Sequence, residues 1–264
     1  NFSSAVIEYE HKIEDEKPES RAIVCYETFL RYFRLALIYA KSHYDYQAIG
    51  STIVCDVESY IKAGGMNSKK AGEDFYFLEK LAKQNKVETI KDTLVYPSPR
   101  KSWRVPFGTG QRITRYLKNV QDEYLVYNPK SFQLLKNWLE FFNSDSAVDS
   151  DEIIMESKKI SSHLYEFLVE QNFEKSWNKI LKNSDSIDEI RKQKVFWFDA
   201  FRTFKLIHHL RDTIYPNVNI YVALKFLSNK FELELEYDEK EIQNNYQLQK
   251  QVLISLRNFF KNKL

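Results

Sequence analysis

The chain has 264 residues, 43% of them hydrophobic and 29% charged, with a formal net charge of +2. These totals describe an ordinary globular protein able to bury a sizeable core in one large or two smaller domains, and no apolar run approaches the length of a membrane span. Six glycines, with no GxGxxG and no Walker loop, set aside the glycine-rich nucleotide cradles, while nineteen Phe and seventeen Tyr favour long helices.

Cys25 and Cys55 lack CxxC spacing and sit among apolar neighbours, as reduced core thiols do. No zinc site, other metal or cofactor is expected. The chain begins at Asn1 rather than methionine, as a piece of a longer protein would. No secretory leader is legible, so the expected location is cytoplasmic.

Residues 1–20 are acidic and polar and end in KPES, where Pro18 and Ser20 mark a helix start with Glu19 in the first turn. The spacing predicts a first helix over 21–43, with Ile23, Tyr26, Phe29, Leu30, Phe33, Leu37 and Ala40 recurring at three and four. Gly50 and Ser51 punctuate the chain before a second helix over 52–62. Gly64 and Gly65 in AGGMNS end that helix, and Asn67 or Ser68 can cap a third, KKAGEDFYFLEKLAKQ. Val87 to Val95 reads as a strand or a fraying helix. YPSPRKSWRVPFGTG is then a basic, proline-punctuated connector, and the domain boundary is expected within 96–106. Arg100, Lys101 and Arg104 surround Trp103 there, in a pattern that tracks a nucleic-acid backbone or equally plugs the junction of two domains. From Tyr60 to Lys118 there are thirteen Lys and Arg against five Asp and Glu, a surplus suited to a polyanion or to a solvated face.

The spacing next predicts helices at 128–142, 151–171 and 173–182, then one starting in SDSIDEIRKQ with Asp185 or Ser186 as its cap. Trp138, Trp177 and Trp197 fall on apolar faces, as core residues do. FKLIHHLRDTIY, residues 204–215, places His208 and Arg211 three apart, so that an imidazole and a guanidinium converge on one anionic oxygen. Phe204, Ile207, Leu210 and Ile214 in the same stretch also fit a plain core helix. FELELEY alternates apolar and charged residues and is the best strand pattern in the chain. An amphipathic basic helix, 247–264, closes the sequence.

Several of these stretches resemble tyrosine recombinases and phage integrases. TFLRYFRLALIYAKSH followed by DVESYIKAGGMNSKKAGEDFYFLEKLAK is similar to their helical core-binding domain. That resemblance makes Lys69, Lys70, Lys80 and Lys83 phosphate contacts. TGQRI resembles the first-arginine box, which makes Arg112 a ligand of the scissile phosphate with Arg115 beside it on the DNA. His208, His209, Leu210 and Arg211 match the HxLR box. The resemblance implies a tyrosine nucleophile, either Tyr237, set in an acidic run that repels phosphate, or the electrostatically better placed Tyr246.

The sequence departs from the family at several points. Only about a dozen residues separate Pro99 from Arg112, no strand-borne lysine is evident, and SNK stands where a second His or Trp belongs. The expectation is therefore a mainly α protein: a core-binding-like helical domain over 1–95, a basic linker over 96–106, and a larger, mostly helical catalytic-like domain over 107–264 with at most a small sheet. Its function is expected to be sequence-specific binding of double-stranded DNA without cleavage, as a phage or prophage-type transcriptional regulator or repressor, with the last helix docking a second copy or finishing its own core. Two alternatives stay open: an active recombinase working through a phosphotyrosyl intermediate, and a helical ribonuclease, since Arg202 and His208 resemble the R-x4-6-H signature of HEPN proteins.

Overall fold

A computed structural model describes residues 2–14, 17–47, 49–67, 72–98 and 108–263. In chain order its elements are β1 (Ser4–Tyr9), α1 (Pro18–Tyr39), β2 (Ile53–Cys55), α2 (Val57–Lys62), α3 (Glu73–Gln84), β3 (Glu88–Val95), α4 (Thr109–Leu117), β4 (Leu125–Val126) and α5 (Pro129–Phe142). There follow α6 (Ser150–Ile160), α7 (Ser162–Glu170), α8 (Phe173–Leu181), α9 (Ile187–Trp197), α10 (Ala200–Thr213), β5 (Val218–Asn219), α11 (Ile220–Phe231), α12 (Glu241–Asn244) and α13 (Tyr246–Asn262). The protein is mainly helical with only small sheets.

The chain divides into two compact units, and both are discontinuous in sequence. The first comprises Asn1–Leu35, Tyr46–Val126 and Val218–Leu264; the second comprises Ala36–Asp45 and Tyr127–Asn217. Of the linker expected at 96–106, residues 99–106 lie outside the described residues; the elements before and after it belong to the first unit. Long-range pairing decides this, because β3, just before that stretch, is zipped to β1, and α13, far after it, is ion-paired to α1.

In the first unit β1 lies between β2 and β3, antiparallel to the former and parallel to the latter, with Ala5 opposite both Val54 and Glu88. A strand paired on both edges and covered on both faces loses the period-two pattern, and five of the six β1 residues are buried, Ser4 and Glu8 among them. Residues 53–55, read as the start of a helix, form β2 instead; α2 begins only where the Asp56 side chain caps it by accepting from the Ser59 N–H. Gly64 and Gly65 end α2 with positive φ, a conformation that costs glycine little. FELELEY is the reverse case. Its burial does alternate, yet it joins no sheet among the described residues. Leu233 N–H instead returns to the Ser228 carbonyl.

A buried ion network holds three segments of this unit together. The Glu27 carboxylate, with no exposed surface, accepts from the His11 backbone N–H and Nδ1 side, from Arg31 Nε at 2.9 Å, and from Arg257 Nε and Nη2 at 2.8 and 2.7 Å. Arg34 adds bonds to Glu8 and to Thr89 of β3. These cations hold the Glu27 carboxyl below the usual carboxylate range although burial pushes the other way. The helix α13 buries Val252, Leu253, Leu256, Phe259 and Phe260. Its apolar stripe thus packs into the core of its own unit.

The second unit is helical and its core is aromatic. Trp138 stacks on Phe142 at 4.7 Å, Phe173 meets Trp197 edge-on at 4.7 Å, and Trp177 is fully buried. The Trp177 and Trp197 indoles donate to the Val148 carbonyl and the Ser176 hydroxyl, so two of the three rings are buried without stranding their N–H groups. Side-chain caps from Asn128, Asp149, Ser161, Ser186 and Asp199 start five of the six helices. Among the described residues no helix is long and apolar enough to cross a membrane.

Candidate phosphate-binding site

The helix α10 positions the site. Asp199 caps it by accepting from the Arg202 N–H, and Ala200, Thr203, Leu206, Ile207 and Leu210 are buried along one face. That stripe holds the helix in the second unit and turns His208 and Arg211 outward. Ile214, included in the apolar repeat of the sequence, lies beyond the helix and is exposed.

The His208 Nε2 is 2.7 Å from the Tyr127 hydroxyl, and the two rings lie 5.5 Å apart; Phe204 meets the imidazole edge-on. Desolvation by these neighbours, and then the Arg211 charge, lower the His208 pKa. The ring is therefore mainly neutral near pH 7 and takes part in hydrogen bonding rather than carrying charge. Arg211 bonds through Nε and Nη2 to the adjacent Asp212 carboxylate at 2.7 and 2.8 Å, which raises the arginine pKa. The contacts shown leave the Nη1 group for an incoming oxygen. An anion arriving here competes with Asp212 for the guanidinium and favours protonation of His208. Tyr127 was not foreseen: it lies 81 positions away in sequence, just ahead of the α5 cap, and no local pattern connects it to His208.

The remaining expected residues lie elsewhere. Arg112, Arg115, Tyr237, Tyr246, Lys80 and Lys83 belong to the first unit, whereas His208 and Arg211 belong to the second. Arg112 is ion-paired with Glu123 and its guanidinium lies over Phe29 at 4.4 Å; Arg115 bonds the other Glu123 oxygen at 2.8 Å. One buried carboxylate thus engages both arginines expected at the phosphate. The Tyr237 hydroxyl donates to the Tyr221 carbonyl at 2.7 Å, and burial pushes the phenol pKa up. Tyr246 is only 8% exposed at the start of α13, with the Arg21 guanidinium 4.9 Å from its ring centre. Lys80 donates to the Ala63 carbonyl and to Asn67, and Lys83 pairs with Glu79 at 2.6 Å. Lys69, Lys70, Arg100, Lys101, Trp103 and Arg104 lie outside the described residues.

Arg202, the first member of the R-x5-H pair, donates to the Trp197 carbonyl at 2.7 Å and stacks over that indole at 4.6 Å. It is occupied in holding the start of α10. A second group of polar side chains, His163 and Glu166 of α7 with His209 of α10, offers metal-ligand atoms within 4.8 Å of one another. The expectation of no metal site did not foresee it, because its two histidines lie in separate helices.

No family model matches the chain, and no curated protein or solved structure matches it either.

Proposed function

We propose that the chain is a double-stranded DNA-binding protein on a tyrosine-recombinase-like scaffold, a regulator of phage or prophage type that does not cleave its target. The observation that carries the non-cleaving reading is the state of the four groups that cleavage would use. Arg112 is ion-paired with buried Glu123, Arg211 with Asp212, the Tyr237 hydroxyl is bonded to a backbone carbonyl, and Tyr246 is almost wholly buried. An attacking tyrosine must present its oxygen to phosphorus and lose its proton, and burial of Tyr237 opposes both.

Binding asks less of the site. A guanidinium with donors to spare beside an imidazole suits a phosphate oxygen, and the excess of Lys and Arg between Tyr60 and Lys118 supplies the long-range attraction. Contacts of this kind set affinity and register rather than sequence preference.

A gel-shift and cleavage assay on genomic duplex fragments at two salt concentrations tests the proposal. Binding that weakens with salt, leaves no covalent adduct, persists in a Tyr237→Phe/Tyr246→Phe double variant and falls several-fold in Arg211→Ala supports it. A protein-linked strand that disappears in the double variant would make the chain an active recombinase, and failure to bind duplex at either salt would remove both readings. The depressed His208 pKa and its Tyr127 partner also fit a general base in a helical ribonuclease. RNA cleavage lost in His208→Ala would favour that reading.

A further inference from the structure

We infer that His163, Glu166 and His209 form a binding site for a divalent transition metal of the zinc class, which staples α7 to α10 within the second unit. The inference is independent of the DNA-binding proposal.

The placement follows from helix geometry. Ser161 caps α7 and sets its first turn, so His163 and Glu166, three apart, share one face. The helix α7 packs on α10, and Phe167, fully within the core, lies against the His209 ring with 5.8 Å between centres. One donor atom from each of the three residues falls within 4.8 Å of the others.

Two further features point to a ligand. The Nδ1 of His163 and the Nε2 of His209 are buried without a hydrogen-bond partner, although each histidine has a carboxylate nearby. The His163 Nδ1 is 3.3 Å from a Glu166 oxygen, and the His209 Nδ1 is 3.6 Å from a Glu170 oxygen. A tetrahedral zinc with bonds of ~2.0–2.1 Å spaces its donors roughly 3.3 Å apart, so the His163–Glu166 separation already matches that of a metal shell. The idle His163 Nδ1 faces the Glu166 carboxylate at ligand spacing, and the idle His209 Nε2 supplies a second nitrogen; a shared cation accounts for both better than direct pairing.

Two imidazoles with carboxylates are borderline donors. They favour zinc, cobalt, nickel or copper over calcium or magnesium, which prefer oxygen alone. Because binding requires neutral imidazoles, affinity should fall with acidification.

Titration of the full chain with Zn2+, and with Co2+ as a spectroscopic probe, after treatment with a chelator tests this. One equivalent should bind, the Co2+ form should show visible d–d bands without the intense thiolate charge-transfer band that Cys25 or Cys55 would give, and Zn2+ should raise the melting temperature. Changes in groups behind metal ligands already cost ~10–100-fold in affinity, so His163→Ala and His209→Ala should each cost at least about tenfold. Glu166→Gln, at an exposed position, should weaken binding without disturbing folding, and His43→Ala should not weaken it. No saturable binding, binding unchanged in His163→Ala and His209→Ala, or a thiolate band at one equivalent would overturn the site.

Discussion

Replacing Glu27 with Gln tests whether the buried ion network determines the stability of the first unit. The substitution keeps the shape of the side chain but removes the charge facing Arg31, Arg257 and His11. Breaking a buried ion pair from one side costs ~3–5 kcal/mol, because the remaining charges stay buried without compensation. The value should lie within that range rather than above it, since Arg31 keeps Glu8 and Arg257 keeps Glu10, each at 3.5 Å. For a chain of this size each kcal/mol moves the melting temperature by about 2–4 °C, so a loss of roughly 10 °C at neutral pH is expected.

The pH dependence gives a second reading of the same interaction. The folded Glu27 carboxyl titrates below its unfolded value, so its contribution is complete above the unfolded pKa and disappears as the pH falls through the folded one. Below about pH 4.3 the wild-type protein should lose ~1.4 kcal/mol per pH unit through this group, and the Gln variant should not. Urea unfolding of both proteins near pH 7 and near pH 3.3 therefore measures one quantity twice. A melting temperature within about 2 °C of wild type, or a difference that does not narrow in acid, would refute the assignment of stability to this network.

Lys194 should shift stability with pH in the same direction but over an alkaline window, because here folding disfavours the charged form. It is buried on the Ser144 carbonyl with its pKa pushed down to about 8 by desolvation, so the unfolded chain holds the proton more tightly and stability rises with pH above that value. Relative to Lys194→Met, the wild-type protein should gain about 1.5 kcal/mol between pH 8 and 9.5, measured by urea unfolding; a flat difference would remove the claim. Asp149→Ala removes an acceptor for the Asp151 and Glu152 N–H groups and should cost ~1 kcal/mol in the same assay. Trp177→Ala opens a cavity among Phe142, Phe173 and Trp197 and strands the Val148 carbonyl, so a loss of ~3–5 kcal/mol is expected, with a loss under about 1 kcal/mol counting against tight packing there.

Several helices were legible where a cap and an apolar repeat coincided, whereas the Ser161 cap within the single helix expected over 151–171 and the Asn219 cap of α11 went unread. Asn128 with Pro129, and Ser186 ahead of Ile187, mark starts that local chemistry fixes, and both hold in the structure. At 87–95 the strand was one of the two readings and β3 forms there, whereas β1 and FELELEY were misread for a physical reason. β1 is covered on both faces, so its buried Ser4 and Glu8 break any alternation, while FELELEY alternates yet joins no sheet among the described residues. A strand needs a partner that the sequence does not name.

The candidate site shows the same division. The three-residue spacing of His208 and Arg211 follows from helical geometry alone, and so does the spacing of His163 and Glu166. What each side chain faces depends on groups far away in sequence. Glu123 occupies Arg112, Tyr127 completes the surroundings of His208, and α10 brings His209 to α7.

By itself the sequence determined a mainly helical protein, the start of several helices and the aromatic core of the second unit, because capping, periodicity and apolar burial act over a few residues. Only the tertiary structure decided that the elements before and after residues 96–106 belong to one unit, that Glu27 gathers His11, Arg31 and Arg257, and that the expected phosphate ligands are distributed over two units. Ion pairs and strand pairing join residues up to 247 positions apart, and the energy of such a contact depends on a geometry that no local stretch of sequence contains.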